Sequence, residues 1–197
     1  MNRGPAAGPS RKPAISAAPR LAVAGDVPAI AELCLEAARE TGVMDLPAAA
    51  LRRRVRKMMA SDRTELVVAG RPAAAMAILH LKDEIWQDTK SAFVENLFVS
   101  AQQRGRGLGR AVMSAVIGIA VRRQVVTAYL NVNERNEVAL RLYESFGFRA
   151  SLPANWAGGR EVCLINPVIA AHPPRSWCCD AADHDHSDRD GIYRDVC

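Results

Sequence analysis

The 197-residue chain has no apolar run approaching the roughly 18–20 residues that a membrane-crossing helix needs, so no such helix is expected. It also lacks the continuous apolar stretch of a secretory signal. Residues 1–19 are rich in Ala, Pro and Gly instead, and a cytoplasmic setting is expected. Their Arg and Ala content matches an organelle transit peptide in composition alone. Cysteines are few and odd in number: five, scattered except for Cys178-Cys179, give no closed disulfide framework and read as reduced thiols. Aromatics make up only 5% of the residues. None interleaves the basic run Arg52-Arg53-Arg54-Val55-Arg56-Lys57, so the run lacks the stacking partners of a nucleic-acid surface and reads as a solvated helix face. No internal repeat is present.

What remains is ordinary globular material, 49% apolar and 24% charged, enough for one domain and too short for two of usual size. A formal charge of +5 suits an anionic ligand without demanding nucleic acid. Composition divides the chain into a leader (1–19) expected to be disordered, a periodic domain (20–168) and a tail (169–197) that loses periodicity and gains Asp, His and Pro. His172, Cys178, Cys179, His184 and His186 of the tail do not make a closed zinc spacing, so no metal is expected.

Within the domain, Leu21-Ala22-Val23 reads as a short strand. Asp26 then caps a helix with Pro28 in its first turn and Ile30, Leu33, Cys34, Ala37 and Ala38 on one face. A second helix covers 47–59. Strands 65–69 and 73–81 form a hairpin about Gly70-Arg71-Pro72, and 91–99 is a further strand. Residues 108–122 make a strong helix with Ala111, Val112, Ala115, Val116, Ile119 and Ala120 inward. A strand at 125–132, a helix at 137–146 stopped by Gly147, and weak strands near Phe148 and at 161–165 complete the set. The order β-α-α-β-β-β-α-β-α-β-β predicts an α/β fold of the mixed α+β kind, with helices covering a mixed sheet.

Arg104-Gly105-Arg106-Gly107-Leu108-Gly109 joins a strand to an amphipathic helix. The first N–H groups of a helix have no partner inside it, and the helix dipole is positive there. A turn without side chains lets a diphosphate approach those groups, and Arg104 and Arg106 add charge. A P-loop would need Lys and then Ser or Thr after the last glycine, where Arg110 and Ala111 stand. A dinucleotide fingerprint counted from Gly105 would need Gly at Arg110. The alternative is a turn that merely packs a helix closely on a sheet. Further on, Asn136 and Tyr143 are seven apart, on one helix face with Ala139 between, where they could lie along an extended ligand. Equally, Asn136 could cap the helix and Tyr143 belong to its core.

The stretch from Val94-Glu95-Asn96-Leu97-Phe98-Val99 through the glycine turn to Arg110-Ala111-Val112-Met113 resembles the acetyl-coenzyme A motif of the GNAT superfamily of N-acetyltransferases. That motif runs Gln/Arg-x-x-Gly-x-Gly/Ala, and Arg104, Gly107 and Gly109 fill its fixed places. LNVNERNEVALRLYESFGF resembles the family's second block. Ala101 stands where many members have Pro. The resemblance implies a GNAT-like acyl-coenzyme A N-acyltransferase fold from about Leu21 to Pro167 and acetyl-coenzyme A as cosubstrate. It implies cofactor contacts at Leu97, Phe98, Val99, Arg104, Gly105, Arg106, Gly107, Leu108, Gly109, Arg110, Asn136, Ala139 and Tyr143. A homodimer is common among similar proteins.

Acetyl transfer to an amine needs a neutral nucleophile, donors for the oxyanion and a proton for the departing thiolate. Tyr143 suits the last task. The main-chain N–H of Phe98 or Val99 suits the second. Glu95 is the candidate base, with strand alternation placing Glu95, Leu97 and Val99 on one face; a salt-bridged strand glutamate is the other reading. Asp83, Glu84 and Asp88 are alternative bases. The acceptor, a small-molecule or peptide amine, is not legible, since its pocket would come from the first two helices and the regions of Trp86 and Trp156. In the resembled family that region includes the basic run, which would favour an acidic substrate. The competing expectations are a coenzyme A-binding regulatory module without turnover and a basic nucleic-acid-binding protein.

Overall fold

The structure, a computed structural model, describes residues 18–42, 47–85, 89–151 and 161–168. The expected tail with its His and Cys residues, almost all of the leader, and Trp86, Asp88 and Trp156 lie outside the described residues. Elements follow the expected order: β1 (Pro19–Leu21), α1 (Val27–Thr41), α2 (Ala48–Met59), β2 (Thr64–Ala69), β3 (Ala75–Asp83), β4 (Lys90–Val99), α3 (Leu108–Arg122), β5 (Val125–Asn133), α4 (Glu137–Glu144), β6 (Arg149–Ala150) and β7 (Glu161–Asn166). Single 3-10 turns at Ala24–Asp26 and Ala101–Gln103 precede α1 and α3.

One seven-stranded sheet runs in the order β1-β2-β3-β4-β5-β7-β6, antiparallel except where β4 and β5 lie parallel. Helices cover both faces. α1 and α2 set Val27, Ile30, Leu33 and Val55 against Leu66, Val68, Met76 and Ile78. On the other face, α3 sets Leu108, Val112, Met113, Val116, Ile119 and Ala120 against Val67, Ala77, Leu79 and Val94, with Tyr143 of α4 in the same cluster. The expected inward face of α3 is correct at Val112, Val116, Ile119 and Ala120. Ala111 and Ala115 are half-buried, and Leu108 and Met113 complete the stripe.

Asp26 does not cap α1 with its side chain. Its carboxylate turns back to accept from Val23 N–H at 2.8 Å and from both Nη atoms of Arg20 at 2.6 and 2.7 Å. That guanidinium, ahead of an opposing cost of burial, holds the Asp26 carboxyl below its ordinary range. α1 ends as a helix should, with Gly42 in the left-handed region at φ 68°.

β4 departs most from a simple strand. Asn96 has φ 52°, and Asn96 and Leu97 together stand opposite the single residue Ala77 of β3, so the strand carries a bulge. The extra residue resets the side-chain alternation. Glu95 is therefore not on the face of Leu97 and Val99 as strict period-2 reasoning predicts. Glu95 pairs across from Ile78 on the α1/α2 face, whereas Leu97 and Val99 pack into the α3 cluster. The parallel ladder between β4 and β5 ends at Phe93 and Tyr129, although β4 continues to Val99 and β5 to Asn133. From that rung the two strands part and leave main-chain groups facing a cleft.

Candidate active site

The cleft opens toward the glycine turn. Between Val99 and α3 the chain passes through Gly105 at φ 76° and Gly107 at φ 80°, a region that costs an L-residue roughly 1–2 kcal/mol. Gly107 is the N-cap of α3 and offers no capping side chain; the first bond into the helix runs from Ala111 N–H to Gly107 O at 3.0 Å. The N–H groups of Leu108, Gly109 and Arg110 therefore have no acceptor within the helix. Apart from its chain neighbours, a Cβ built on Gly105 or Gly107 would meet no atom within 4 Å, so the space beside both glycines is open. Bare donors, a helix dipole and open space together suit an anion.

The arginines divide the work differently from the simple expectation of added charge. Arg104 donates from Nη2 to both carboxylate oxygens of Glu40 at 2.8 and 2.6 Å and from Nε to Val99 O at 3.1 Å, with its guanidinium over the Phe98 ring. Its charge goes to α1 and braces the turn. Glu36, one helical turn earlier, accepts from Ala101 N–H at 2.8 Å and Ser100 Oγ at 3.2 Å. Arg110 lies over the Phe146 ring at 5.5 Å. Glu36 and Glu40 were not singled out from sequence; their only signal is i, i+4 spacing on α1.

Gly109 marks where the three parts of the site meet. A Cβ there would lie 3.5 Å from Val99 Cγ2 and 3.6 Å from Leu142 Cδ2, so the end of β4, the first turn of α3 and α4 converge on it. Next to Leu142, Tyr143 is buried with its ring 6.0 Å from that of Phe148. Burial alone pushes its phenol up to about 12, so it holds its proton throughout the neutral range. Among the described residues its hydroxyl has no hydrogen-bond partner. Asn136 is exposed and caps α4, its Oδ1 accepting from Ala139 N–H at 3.1 Å. That bond occupies one lone pair of the amide oxygen and leaves the Nδ2 donors.

Across the sheet, Glu95 Oε2 lies 2.6 Å from His80 Nε2, and His80 Nδ1 lies 3.5 Å from Thr64 Oγ1. Sequence reasoning passed over His80, a single polar ring in the apolar run of β3. Of the alternative carboxylates, two are described, and both are engaged at the far end of the β3–β4 hairpin: Asp83 pairs with Arg63 at 2.9 Å, and Glu84 accepts from Ser91 Oγ. Arg53, Arg54, Arg56 and Lys57 of α2 are exposed, as a solvated face should be. Among the described residues no helix is long and apolar enough to cross a membrane.

Comparison with known proteins bears on the family and the fold. The family model of the acetyltransferase (GNAT) family matches residues 30–148, more than half of the chain. The [ribosomal protein bS18]-alanine N-acetyltransferase of Escherichia coli (strain K12) is 36% identical over 74 residues, covering 36% of this chain and 50% of the relative; the match thus spans about half that relative's length. Among solved structures, a ribosomal-protein-alanine N-acetyltransferase from Brucella melitensis superposes with a TM-score of 0.63 at 17% identity, over 76% of this chain and 98% of the other. A protein of Arthrobacter sp. FB24 assigned as an acetyltransferase superposes with a TM-score of 0.62 at 24% identity, over 76% and 92%. At those identities the structures speak for the fold. The family match joins that fold to the glycine turn and the α4 block, and the chain belongs to the GNAT family of acetyltransferases.

Proposed function

We propose that the protein transfers the acetyl group of acetyl-coenzyme A to an amine by direct attack. The observation that carries the proposal is the convergence at Gly109, where the bare N-terminus of α3 meets the end of β4 and Leu142 of α4, the residue before the buried Tyr143. The residues present fit the cosubstrate. The open, side-chain-free turn takes a diphosphate, and the main chain of Leu97, Phe98 and Val99, turned away from β5, can pair with an extended amide-bearing arm. Arg104 supports the turn from behind, while Gly105 to Arg110 supply main-chain donors. Asn136 and Ala139 border the arm at the start of α4.

Bound there, acetyl-coenzyme A supplies the thioester. The N–H of Phe98 or Val99 donates to the developing oxyanion. Tyr143, neutral because it is buried, gives its proton to the departing sulfur. Glu95, on the opposite face and beside the parting of β4 from β5, takes the proton of the incoming amine. Cosubstrate and acceptor thus approach from opposite faces of the sheet. The E. coli relative acts on an alanine of a ribosomal protein, so a peptide α-amine is the first acceptor class to test, ahead of small amines. Cytoplasmic residence belongs to the same reading and suits the free thiols of Cys34 and Cys163.

The test is a thiol-release assay with acetyl-coenzyme A against a panel of amines that includes a synthetic hexapeptide with N-terminal alanine. Amine-dependent release supports the proposal. Binding of acetyl-coenzyme A with no release for any amine would leave a regulatory binding module in its place.

A further inference from the structure

We propose that His80 is a positioning residue for proton removal, fixing Glu95 so that its second oxygen faces the acceptor; this rests on the acetyl-transfer reading above. His80 is level with the last rung before the cleft, because it pairs across β3–β4 with Phe93, and Phe93 is the final β4 partner of Tyr129 on β5. Glu95 stands two residues further along β4, where the strands have already parted and just before the bulge at Asn96. The two side chains meet at 2.6 Å on the α1/α2 face. They are 33% and 43% exposed, open enough for an acceptor to reach.

A ring protonated on Nε2 and bare at Nδ1 satisfies both contacts. Thr64 Oγ1 donates to Nδ1, and the ring donates from Nε2 to Glu95 Oε2. Among the described residues Glu95 Oε1 has no partner, so that oxygen keeps its lone pairs for an amine proton. Left alone, a strand glutamate samples many rotamers. Pinned at one oxygen, it presents the other in a single direction, which lowers the entropic cost of reaching the attacking amine. The carboxylate also lies close to Cys34 of α1, whose thiol is pushed up by burial first and by the Glu95 charge second.

The experiment is steady-state kinetics with the best acceptor of the amine panel for His80→Leu, His80→Gln, Glu95→Gln and the double variant His80→Leu/Glu95→Gln. Removing the ring's N–H should lower kcat about tenfold with the acetyl-coenzyme A KM unchanged within about twofold. His80→Gln keeps an N–H near the place of Nε2 and should recover to within about threefold of the parent. In the double variant, His80→Leu should add nothing to the loss caused by Glu95→Gln, since there is no base left to orient. Multiplying losses would overturn the proposal, as would an unaffected His80→Leu beside a crippled Glu95→Gln. A fully active Glu95→Gln would instead sink the base assignment itself. An acceptor-independent check comes from long-range ¹H–¹⁵N spectra of the free protein, in which His80 should be protonated on Nε2. Protonation on Nδ1 alone overturns the proposal whatever the acceptor.

Discussion

At the scale of single residues, the chemistry depends on which groups hold their protons. Tyr143 is buried against Phe148 in a cluster of aliphatic side chains, and the loss of hydration disfavours its phenolate. One of the three tyrosines should therefore titrate near pH 12 in an ultraviolet titration of the folded protein, and this transition should vanish in Tyr143→Phe. In turnover, Tyr143→Phe should lower kcat by about 10²-fold or more while acetyl-coenzyme A affinity changes little, because in the proposed mechanism the phenol acts on the leaving group and not on the diphosphate. The sequence marked Tyr143 and Asn136 by their helical spacing, and of its two readings of the pair the structure shows Asn136 as the α4 cap and Tyr143 in the core. It could not show that the Arg104 guanidinium belongs to Glu40, 64 positions away, nor that His80 meets Glu95 across a strand pair. Such pairings depend on register, which a bulge alters.

At the scale of elements, two devices build the site: the bulge in β4 and the uncapped start of α3. The helix was readable to the residue, because its apolar period is regular and two glycines precede it. The bulge was not, because an asparagine in an otherwise regular strand carries no periodic signature, and its left-handed φ shows only in the backbone. That one insertion moved Glu95 to the face away from Leu97 and Val99. Gly107→Ala should leave α3 folded, since the added methyl meets open space, yet the φ of 80° opposes any L-side chain. The strain of about 1–2 kcal/mol should be read in denaturant unfolding, and the methyl, standing in the open space proposed for the diphosphate, should weaken acetyl-coenzyme A binding roughly tenfold by calorimetry with kcat nearly unchanged. At α4, Asn136→Ala removes the cap on Ala139 N–H and should cost about 1 kcal/mol in denaturant unfolding.

At the scale of the whole molecule, the order of strands and helices was legible because the elements differ in period and glycine or proline marks several of the turns, among them Gly70-Arg71-Pro72, Gly105 to Gly109 and Gly147. The pairing of seven strands into one sheet, with β7 inserted between β5 and β6, had no local signal. Stability at this scale shows a pH dependence with a definite sign. Asp26 is held below its ordinary value by Arg20, so their pairing stabilises the fold fully at pH values above the titration of a free aspartate, about 4. It is lost as pH falls through the lower folded value. Asp26→Asn should cost about 1–2 kcal/mol at neutral pH, discounted for the partly exposed arginine, and should flatten the fall in melting temperature below about pH 4.

The central claim is that the open turn before α3 grips the diphosphate of acetyl-coenzyme A. Isothermal calorimetry on the full chain measures this directly. One site per chain is predicted, with a Kd in the micromolar range (order of 1–100 µM) that weakens about tenfold in Gly107→Ala and stays within about threefold in Tyr143→Phe. Absence of binding heat over several temperatures, or binding indifferent to Gly107, would contradict the account.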